Sequence, residues 1–192
     1  VLKVYTTQGS TIDESIRLLF DGIRQIHPDL ICSILKQRDG KLIFWNYSQL
    51  PAEYREVLEP IEIATGHGAS GSAAKRKEKV VVTDIDTDPL YARYRSVTGN
   101  RELKACTAYP LLDPYRKLLG TFSIYLETPR ALTEAESATV ERAQYILENI
   151  LENYFPEKRL KESEENYRVL FEQSPSLLMV FDPRTLRFLN VN

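Results

Sequence analysis

The chain has 192 residues with a formal net charge of −2, and 43% of its residues are hydrophobic. This composition is typical of a chain with a buried core, and the near-neutral charge gives no bulk attraction to nucleic acid or to an anionic membrane. The two cysteines exclude a disulfide framework, and no stretch approaches the roughly 20 apolar residues of a membrane span. We expect a cytoplasmic protein without a signal peptide at residues 1–5, and without nucleic-acid or membrane contacts.

The N-terminal third of the chain predicts a helix, an antiparallel hairpin and two further short elements. Thr11 and Glu14 have the spacing of a capping box, and apolar residues follow every three or four positions. Asp39 and Gly40 separate two apolar runs, a pattern typical of a tight turn between antiparallel strands. The predicted elements are a helix over 11–27, strands over 30–35 and 41–47, a helix over 52–58 and a strand over 60–63.

The rest of the chain predicts a second antiparallel hairpin and a long helix, followed by another helix and two strands. Apolar runs on both sides of residues 113–116 predict the hairpin. Thr133 and Glu136 have capping-box spacing, and Pro156 predicts a break at the end of the long helix. The predicted elements are a strand over 80–83, a helix over 90–97, strands over 103–112 and 118–126, helices over 134–155 and 157–172, and strands over 176–181 and 186–191.

The long helix predicted over 134–155 carries an apolar stripe that fits two structures. The stripe can pack on a sheet in the core, or it can form a seam against a second copy of the chain. The sequence favours neither over the other. The residues that keep the three-and-four spacing are Val140, Ala143, Leu147, Ile150 and Tyr154.

Residues 66–71 read Gly-His-Gly-Ala-Ser-Gly, which has the Gly-x-Gly-x-x-Gly spacing of a dinucleotide-binding loop. Such a site needs a buried strand before the loop and a helix long enough to cross over to a parallel strand. Here the preceding strand is short and carries Pro60, the helix has room only for residues 72–77, and the neighbouring hairpins are antiparallel. A P-loop would also need a lysine where Ser72 stands. We therefore favour another role for this loop.

Five short segments, in their order and spacing, resemble a GAF domain, the small-molecule sensor module of bacterial signalling proteins. They are 68–73 (GASGSA), 82–89 (VTDIDTDP), 105–106 (AC), 109–111 (YPL) and 119–125 (LGTFSIY). The resemblance covers residues 10–155 and implies an α+β fold, in which a six-stranded antiparallel sheet is flanked by helices. It makes the glycine loop a turn beside the ligand cavity, with Ser70 or Ser72 capping a helix.

Residues 158–175 are similar to the usual entry into a PAS domain. The resemblance implies a helical linker over 156–175 and the truncated start of a PAS domain over 176–192. Such a chain would belong to a longer multidomain sensor with a PAS, histidine-kinase, diguanylate-cyclase or phosphodiesterase module. The long helix would transmit the signal and would join two copies of the chain in a homodimer.

The resemblance also implies a ligand pocket, because the segment after the central strand of a GAF domain lies over the cavity. Tyrosines there would supply apolar faces and hydroxyls, and an arginine would pair with an anion. In a helix, Tyr91 and Tyr94 would share one face. The expected pocket residues are Tyr91, Arg93, Tyr94, Cys106, Tyr109, His67 and Ser70. The ligand is a small molecule that the sequence does not name, and the cofactor is unknown.

Two other classes of function remain open from the sequence. One is an enzyme that uses Cys106 for redox chemistry or the glycine loop for a nucleotide. The other is a module kept for dimerisation alone, with tyrosines filling the cavity and Cys106 as a small buried hydrophobe. Because no nucleophile–base pair, carboxylate pair or metal cluster can be assembled from these motifs, we expect no catalytic residue and no metal site in this chain. We also expect no heme at His27 or His67.

Overall fold

The computed structural model describes residues 11–48, 50, 60–94, 103–172, 179–181, 184 and 188–191. The chain divides into two compact units, Val1–Leu151 and Glu152–Asn192. The elements in chain order are α1 (Ile12–Ile26), β1 (Ile31–Arg38), β2 (Lys41–Tyr47), β3 (Ile61–Glu62), α2 (Gly68–Arg76), β4 (Val80–Val82), a 3-10 helix (Pro89–Tyr94), β5 (Ala105–Leu112), β6 (Leu118–Leu126), α3 (Glu134–Glu172), β7 (Met179–Phe181) and β8 (Phe188–Val191).

Helix α1 begins with the predicted capping box. The Thr11 hydroxyl accepts a hydrogen bond from the Glu14 amide at 3.3 Å, and the Glu14 carboxylate accepts one from the Thr11 amide at 2.8 Å. These two bonds satisfy amides that have no partner inside the helix. The face that carries Ile16, Leu19 and Ile23 is fully buried, as the apolar spacing predicts.

Strands β1 to β6 form one antiparallel sheet in the order β3-β2-β1-β6-β5-β4. Both predicted hairpins are therefore confirmed. In the first hairpin the two turn residues, Asp39 (φ 50°) and Gly40 (φ 78°), are left-handed. Two consecutive left-handed residues match the twist of the flanking strands, which explains the preference for Asp-Gly at this position.

Helices α1 and α3 pack on the same face of this sheet. The Phe20 ring of α1 stacks on Phe122 of β6, with 5.9 Å between ring centroids. The Gln144 side chain of α3 donates to the Pro110 carbonyl of β5 at 3.1 Å, and Glu148 accepts from the Leu112 amide at 3.1 Å. Helix α2 and the 3-10 helix lie on the other face, which we call the α2 face.

The part of the apolar stripe of α3 that belongs to the first unit is mostly buried. Val140, Ala143 and Leu147 are fully buried, as is the adjacent Leu151, while Ile150 is half-buried. This burial confirms the core-packing interpretation for the buried members, and the homodimer stays a prediction.

Helix α3 does not end where the sequence predicts a break. It continues through Pro156 to Glu172, so the predicted break at Pro156 is wrong. A proline removes one backbone hydrogen bond and crowds the preceding turn, but the helix can form on both sides of that local defect. In the second unit, β7 and β8 lie within the two strands predicted over 176–181 and 186–191, and they pair antiparallel. The PAS assignment and the domain limits of 10–155, 156–175 and 176–192 stay predictions.

One predicted helix lies outside the described residues, and another is only partly covered by them. The helix over 52–58 lies outside them, as do residues 95–97 of the helix predicted over 90–97. The described part of the latter is a 3-10 helix, Pro89–Tyr94, which places residues three apart directly above one another. Within the described ranges, no helix is both long and apolar enough to cross a membrane.

Candidate functional site

The glycine-rich loop leads into a helix that packs very closely on the α2 face. Every residue of 68–74 is buried. At Gly71 an added Cβ atom would lie 2.5 Å from the backbone oxygen of Glu62, and at Gly68 (φ 67°) it would lie 3.5 Å from the Tyr91 ring. Gly71 therefore permits a close approach of α2 to β3, while Gly68 is favoured by its left-handed backbone. Both glycines thus have a role in packing and backbone conformation that needs no bound phosphate.

Ser70 and Ser72 lie inside α2, so the prediction that one of them caps the helix is wrong. The N-cap residue is His67, and no side chain caps the first amides. The helix begins four residues earlier than the sequence predicts, because small residues allow its first turn to lie against the sheet. The Ser72 hydroxyl instead accepts a hydrogen bond from the Gly66 amide at 3.3 Å. The Ser70 hydroxyl reaches Ser123 of β6 at 2.9 Å.

Four hydroxyl side chains lie where α2 packs on the sheet, and we call them the hydroxyl patch: Ser33 of β1, Ser70 of α2, and Thr121 and Ser123 of β6. Ser33 is the cross-strand partner of Ser123. All four side chains are buried, and within the described part of the chain Ser33 Oγ and Thr121 Oγ1 have no hydrogen-bond partner.

Cys106 lies beside the hydroxyl patch and is held in a neutral state. It is the cross-strand partner of Tyr125 on β6 and is 1% exposed. Burial raises the pKa of the Cys106 thiol to about 12, and hydrogen bonds with Tyr91 and Tyr125 oppose this rise only in part. A thiol with this pKa stays protonated at physiological pH, whereas the thiolate is the reactive form.

The 3-10 helix brings two predicted pocket residues together, and one of them, Tyr91, contacts Cys106. Tyr91 is 2% exposed, and its ring lies edge-on to that of half-buried Tyr94, with 6.3 Å between centroids. Tyr91 and Tyr94 therefore lie on one face of this helix, as their spacing predicts. Burial raises the pKa of Tyr94, while the neighbouring Arg93 opposes the rise.

Charged side chains lie at the rim of the α2 face. Exposed Arg93 donates to Nδ1 of half-buried His67 at 2.9 Å and also contacts Nε2 of the same ring. Burial lowers the pKa of His67, the Arg93 charge lowers it further, and Glu62 opposes both. Glu62 is itself paired with Lys41 at 2.8 Å, and this hydrogen bond is the main reason its own pKa is lowered. The predicted residues His67 and Arg93 thus form a rim cluster outside the buried interior.

Tyr109 does not share the pocket with the other predicted residues. Successive side chains of a strand point to opposite faces, and Tyr109 is three positions from Cys106. Its ring lies 6.4 Å from that of Phe122, and Lys79 Nζ lies 5.1 Å from its centroid. These contacts place Tyr109 on the face that α1 and α3 cover, so its assignment to the pocket wall is corrected.

The acidic residues after β4 shape the backbone. Asp84 accepts a hydrogen bond from the Asp86 amide at 3.0 Å, and Asp88 accepts one from the Leu90 amide at 2.8 Å. Such bonds from a carboxylate to the amide two residues on stabilise turns. A dinucleotide site would need an acidic side chain directed at a ribose instead. Among the described residues, no group of three or more His, Cys, Asp or Glu side chains could hold a metal ion.

The family comparison covers most of the chain, since the GAF domain family matches residues 12–149. The chain belongs to the GAF family. Solved GAF structures agree with its fold at low identity. The GAF domain from a phosphoenolpyruvate-protein phosphotransferase of Coxiella burnetii is 18% identical with a TM-score of 0.64, over 81% of this chain and 89% of that one. A domain of a putative two-component sensor histidine kinase from Sinorhizobium meliloti 1021 is 18% identical with a TM-score of 0.57, over 83% and 99%.

A longer relative extends beyond the GAF domain. The methyl sulfide methyltransferase-associated sensor of Methanosarcina acetivorans is 28% identical over 186 residues. That alignment takes in 96% of this chain and 19% of the sensor, so the chain spans about a fifth of that relative's length.

Sequence reasoning missed the polar residues that the GAF domain buries on its α2 face. The expected pocket residues came from the glycine loop, the segment after β4 and strand β5, whereas the missed residues lie on the two central strands: Ser33 on β1, and Thr121, Ser123 and Tyr125 on β6. One signal was present in the sequence of β6, where Thr121, Ser123 and Tyr125 alternate with apolar residues. A strand covered on both faces normally reads as a continuous apolar run, so this alternation marks one polar buried face.

Proposed function

We propose that this GAF domain is a sensory module that binds a small molecule on its α2 face and signals through α3. The main support for the proposal is the hydroxyl patch, where two fully buried hydroxyls have no hydrogen-bond partner among the described residues. Buried polar groups without partners are rare in folded proteins, and ligand sites combine mostly apolar walls with a few such groups. Ala69, Ile31 and Leu35 supply apolar wall in the same cluster of buried residues.

Strand β5 is the physical connection between the pocket and α3. One of its faces presents Cys106 to the α2 face, where the proposed ligand binds, while its backbone at Pro110 and Leu112 bonds to Gln144 and Glu148 of α3. A ligand that contacts β5 better in one arrangement of α3 than in another shifts the population toward that arrangement. The helix then carries the change toward the residues that follow.

We also propose that the module acts with a PAS-linked output domain and with a second copy of the chain. The resemblance of 158–175 to the entry of a PAS domain supports an output through a PAS-linked histidine kinase or diguanylate cyclase. The sensor of Methanosarcina acetivorans and the sensor histidine kinase of Sinorhizobium meliloti are consistent with such a context. Two copies joined along α3 would form the signalling dimer. Tyr145, which is 69% exposed, and half-buried Ile146 supply apolar surface for that contact.

A catalytic role is the second candidate, and the geometry at Cys106 disfavours it. A redox-active cysteine is typically accessible and has a lowered pKa. Cys106 is 1% exposed and has its pKa raised to about 12. We therefore propose that this chain binds without catalysing a reaction.

Ligand-detected mass spectrometry tests the proposal. The full chain, purified under mild conditions and then incubated with a deproteinised extract of the source organism, is sprayed under native and denaturing conditions. We expect a bound small molecule that is lost on denaturation. Tyr125→Phe removes a hydroxyl on the α2 face and should lower occupancy, whereas Tyr115→Phe changes a side chain that is 92% exposed and should not. A chain that retains no molecule from the extract would refute the sensory proposal.

A further inference from the structure

The hydroxyl patch contains two groups that cost free energy unless something bonds to them. Ser33 and Thr121 are each 0% exposed, and neither hydroxyl has a partner within the described part of the chain. Leaving a buried hydroxyl unbonded costs far more than bonding it, because the water that it loses is not replaced. Ser70 and Ser123, in contrast, bond to each other at 2.9 Å.

Strand register places the two unpartnered hydroxyls close together. Ser33 of β1 lies opposite Ser123 of β6, and Leu35 of β1 lies opposite Thr121. Ser33 and Thr121 are therefore diagonal neighbours on one face, at a Cα separation of about 7–8 Å. A molecule with two polar atoms can bond to both hydroxyls across that diagonal.

The surroundings of the patch carry no formal charge among the described buried residues. The cluster of buried residues on this face is hydrophobic, and Cys106 within it stays a neutral thiol. The polar side chains of His67, Arg93 and Glu62 lie at the rim, where they already interact with one another. A charged ligand group at the patch would lose its hydration without gaining a counter-charge, which is strongly unfavourable.

We propose that the α2 face binds a small uncharged polar molecule whose hydroxyl, carbonyl or amide groups bond to Ser33 and Thr121. This inference rests on the proposed sensory function and specifies the chemical class of its ligand. The hydroxyls of serine and threonine both donate and accept, so they suit alcohols and amides equally. Among the described residues no counter-charge faces the patch, so negatively charged groups such as phosphates and carboxylates should bind there more weakly than neutral ones.

Matched pairs of small probes test the charge requirement. The full chain is titrated with lactamide against lactate, and with glycerol against glycerol phosphate, while amide shifts are followed by NMR. We expect the neutral member of at least one pair to cause saturable shifts at the amides of Ser33, Thr121 and Ser123. The anionic member should bind at least tenfold more weakly at these positions.

Two substitutions test the assigned contacts. Thr121→Val keeps the shape of the side chain and removes the hydroxyl, and Ser33→Ala removes the other. Each should weaken the bound neutral probe about five- to tenfold, the effect of one lost hydrogen bond. The Tm without probe should stay unchanged or rise, because an unpartnered hydroxyl is removed. Thr107→Val is the control, since Thr107 is 4% exposed and lies on the opposite face of β5.

Each remaining outcome decides against a stated part of the proposal. Tighter binding of the anionic probes at these amides would overturn the ligand class and leave the sensory function standing. A crystal structure with only a water molecule between the two hydroxyls, unchanged by saturating neutral probe, would overturn the ligand class in the same way. If neither the probes nor a metabolite extract causes saturable shifts, the sensory function fails and the ligand class fails with it.

Discussion

Replacing Ser123 with alanine removes one partner of the buried hydrogen bond that joins α2 to the sheet. Its partner Ser70 is 3% exposed, so the remaining hydroxyl would be buried alone at a cost of about 1–3 kcal/mol. Ser70→Ala should cost less, about 0.5–1 kcal/mol, because Ser123 can turn toward its cross-strand neighbour Ser33. The double variant removes both hydroxyls and should cost about 1 kcal/mol less than the sum of the single variants.

Urea unfolding of the wild type, both single variants and the double variant measures this coupling. For a chain of this length, Ser123→Ala should also lower the Tm by about 2–4 °C per kcal/mol. Thr107→Val, on the other face of the same sheet, serves as the control for removing a buried hydroxyl. Unfolding free energies that are strictly additive would contradict the Ser70–Ser123 hydrogen bond. Equal losses of stability in the two single variants would contradict the position of Ser33 beside Ser123.

Three further predictions concern packing, reactivity and pH. Gly71→Ala should destabilise the chain by about 1–3 kcal/mol in urea unfolding, because its Cβ would lie 2.5 Å from a backbone oxygen; a neutral effect would contradict this contact. Cys106 and Cys32 are both about 1% exposed, and burial raises the pKa of each thiol to about 12. Both should therefore react with a thiol reagent only in unfolded molecules, and rapid labelling of the native protein would support a redox function instead. Hydrogen bonds from Arg130 are the main reason that the pKa of Glu136 is lowered to about 2. The stabilisation that this ion pair gives the folded chain should therefore be complete above about pH 4.5 and should be lost as the pH falls from there to about 2. Glu136→Gln should flatten that fall in acid unfolding curves, and an unchanged slope would argue against the pair.

Local signals predicted most of the fold correctly. The capping boxes at Thr11 and Thr133 and the Asp39-Gly40 turn are each set by a few neighbouring residues, and the structure confirms all three. The prediction of a helix break at Pro156 was wrong because it considered only this local signal. A proline sets a local cost, and the cost was overcome by the helix on both sides of it.

The candidate site was only partly predictable, because it is assembled from distant parts of the chain. Tyr91 and Cys106 were correctly expected to lie together, and a hydrogen bond links them. Tyr109 was wrongly assigned to the pocket because it is close to Cys106 in the sequence. Side chains three positions apart on a strand lie on opposite faces of the sheet. The hydroxyls of Ser33 and Thr121 meet only through the pairing of β1 with β6, which the order of residues does not reveal.

The amide NMR spectrum of the full chain, titrated with a deproteinised metabolite extract, tests whether a small molecule binds on the α2 face. We expect saturable shifts that cluster at Ser33, Ser70, Thr121 and Ser123, while the amide of Thr107 shifts by only a small fraction of those changes. Thr121→Val should weaken the same response. Shifts confined to the charged rim at His67 and Arg93, or no saturable shift at all, would contradict binding on the α2 face.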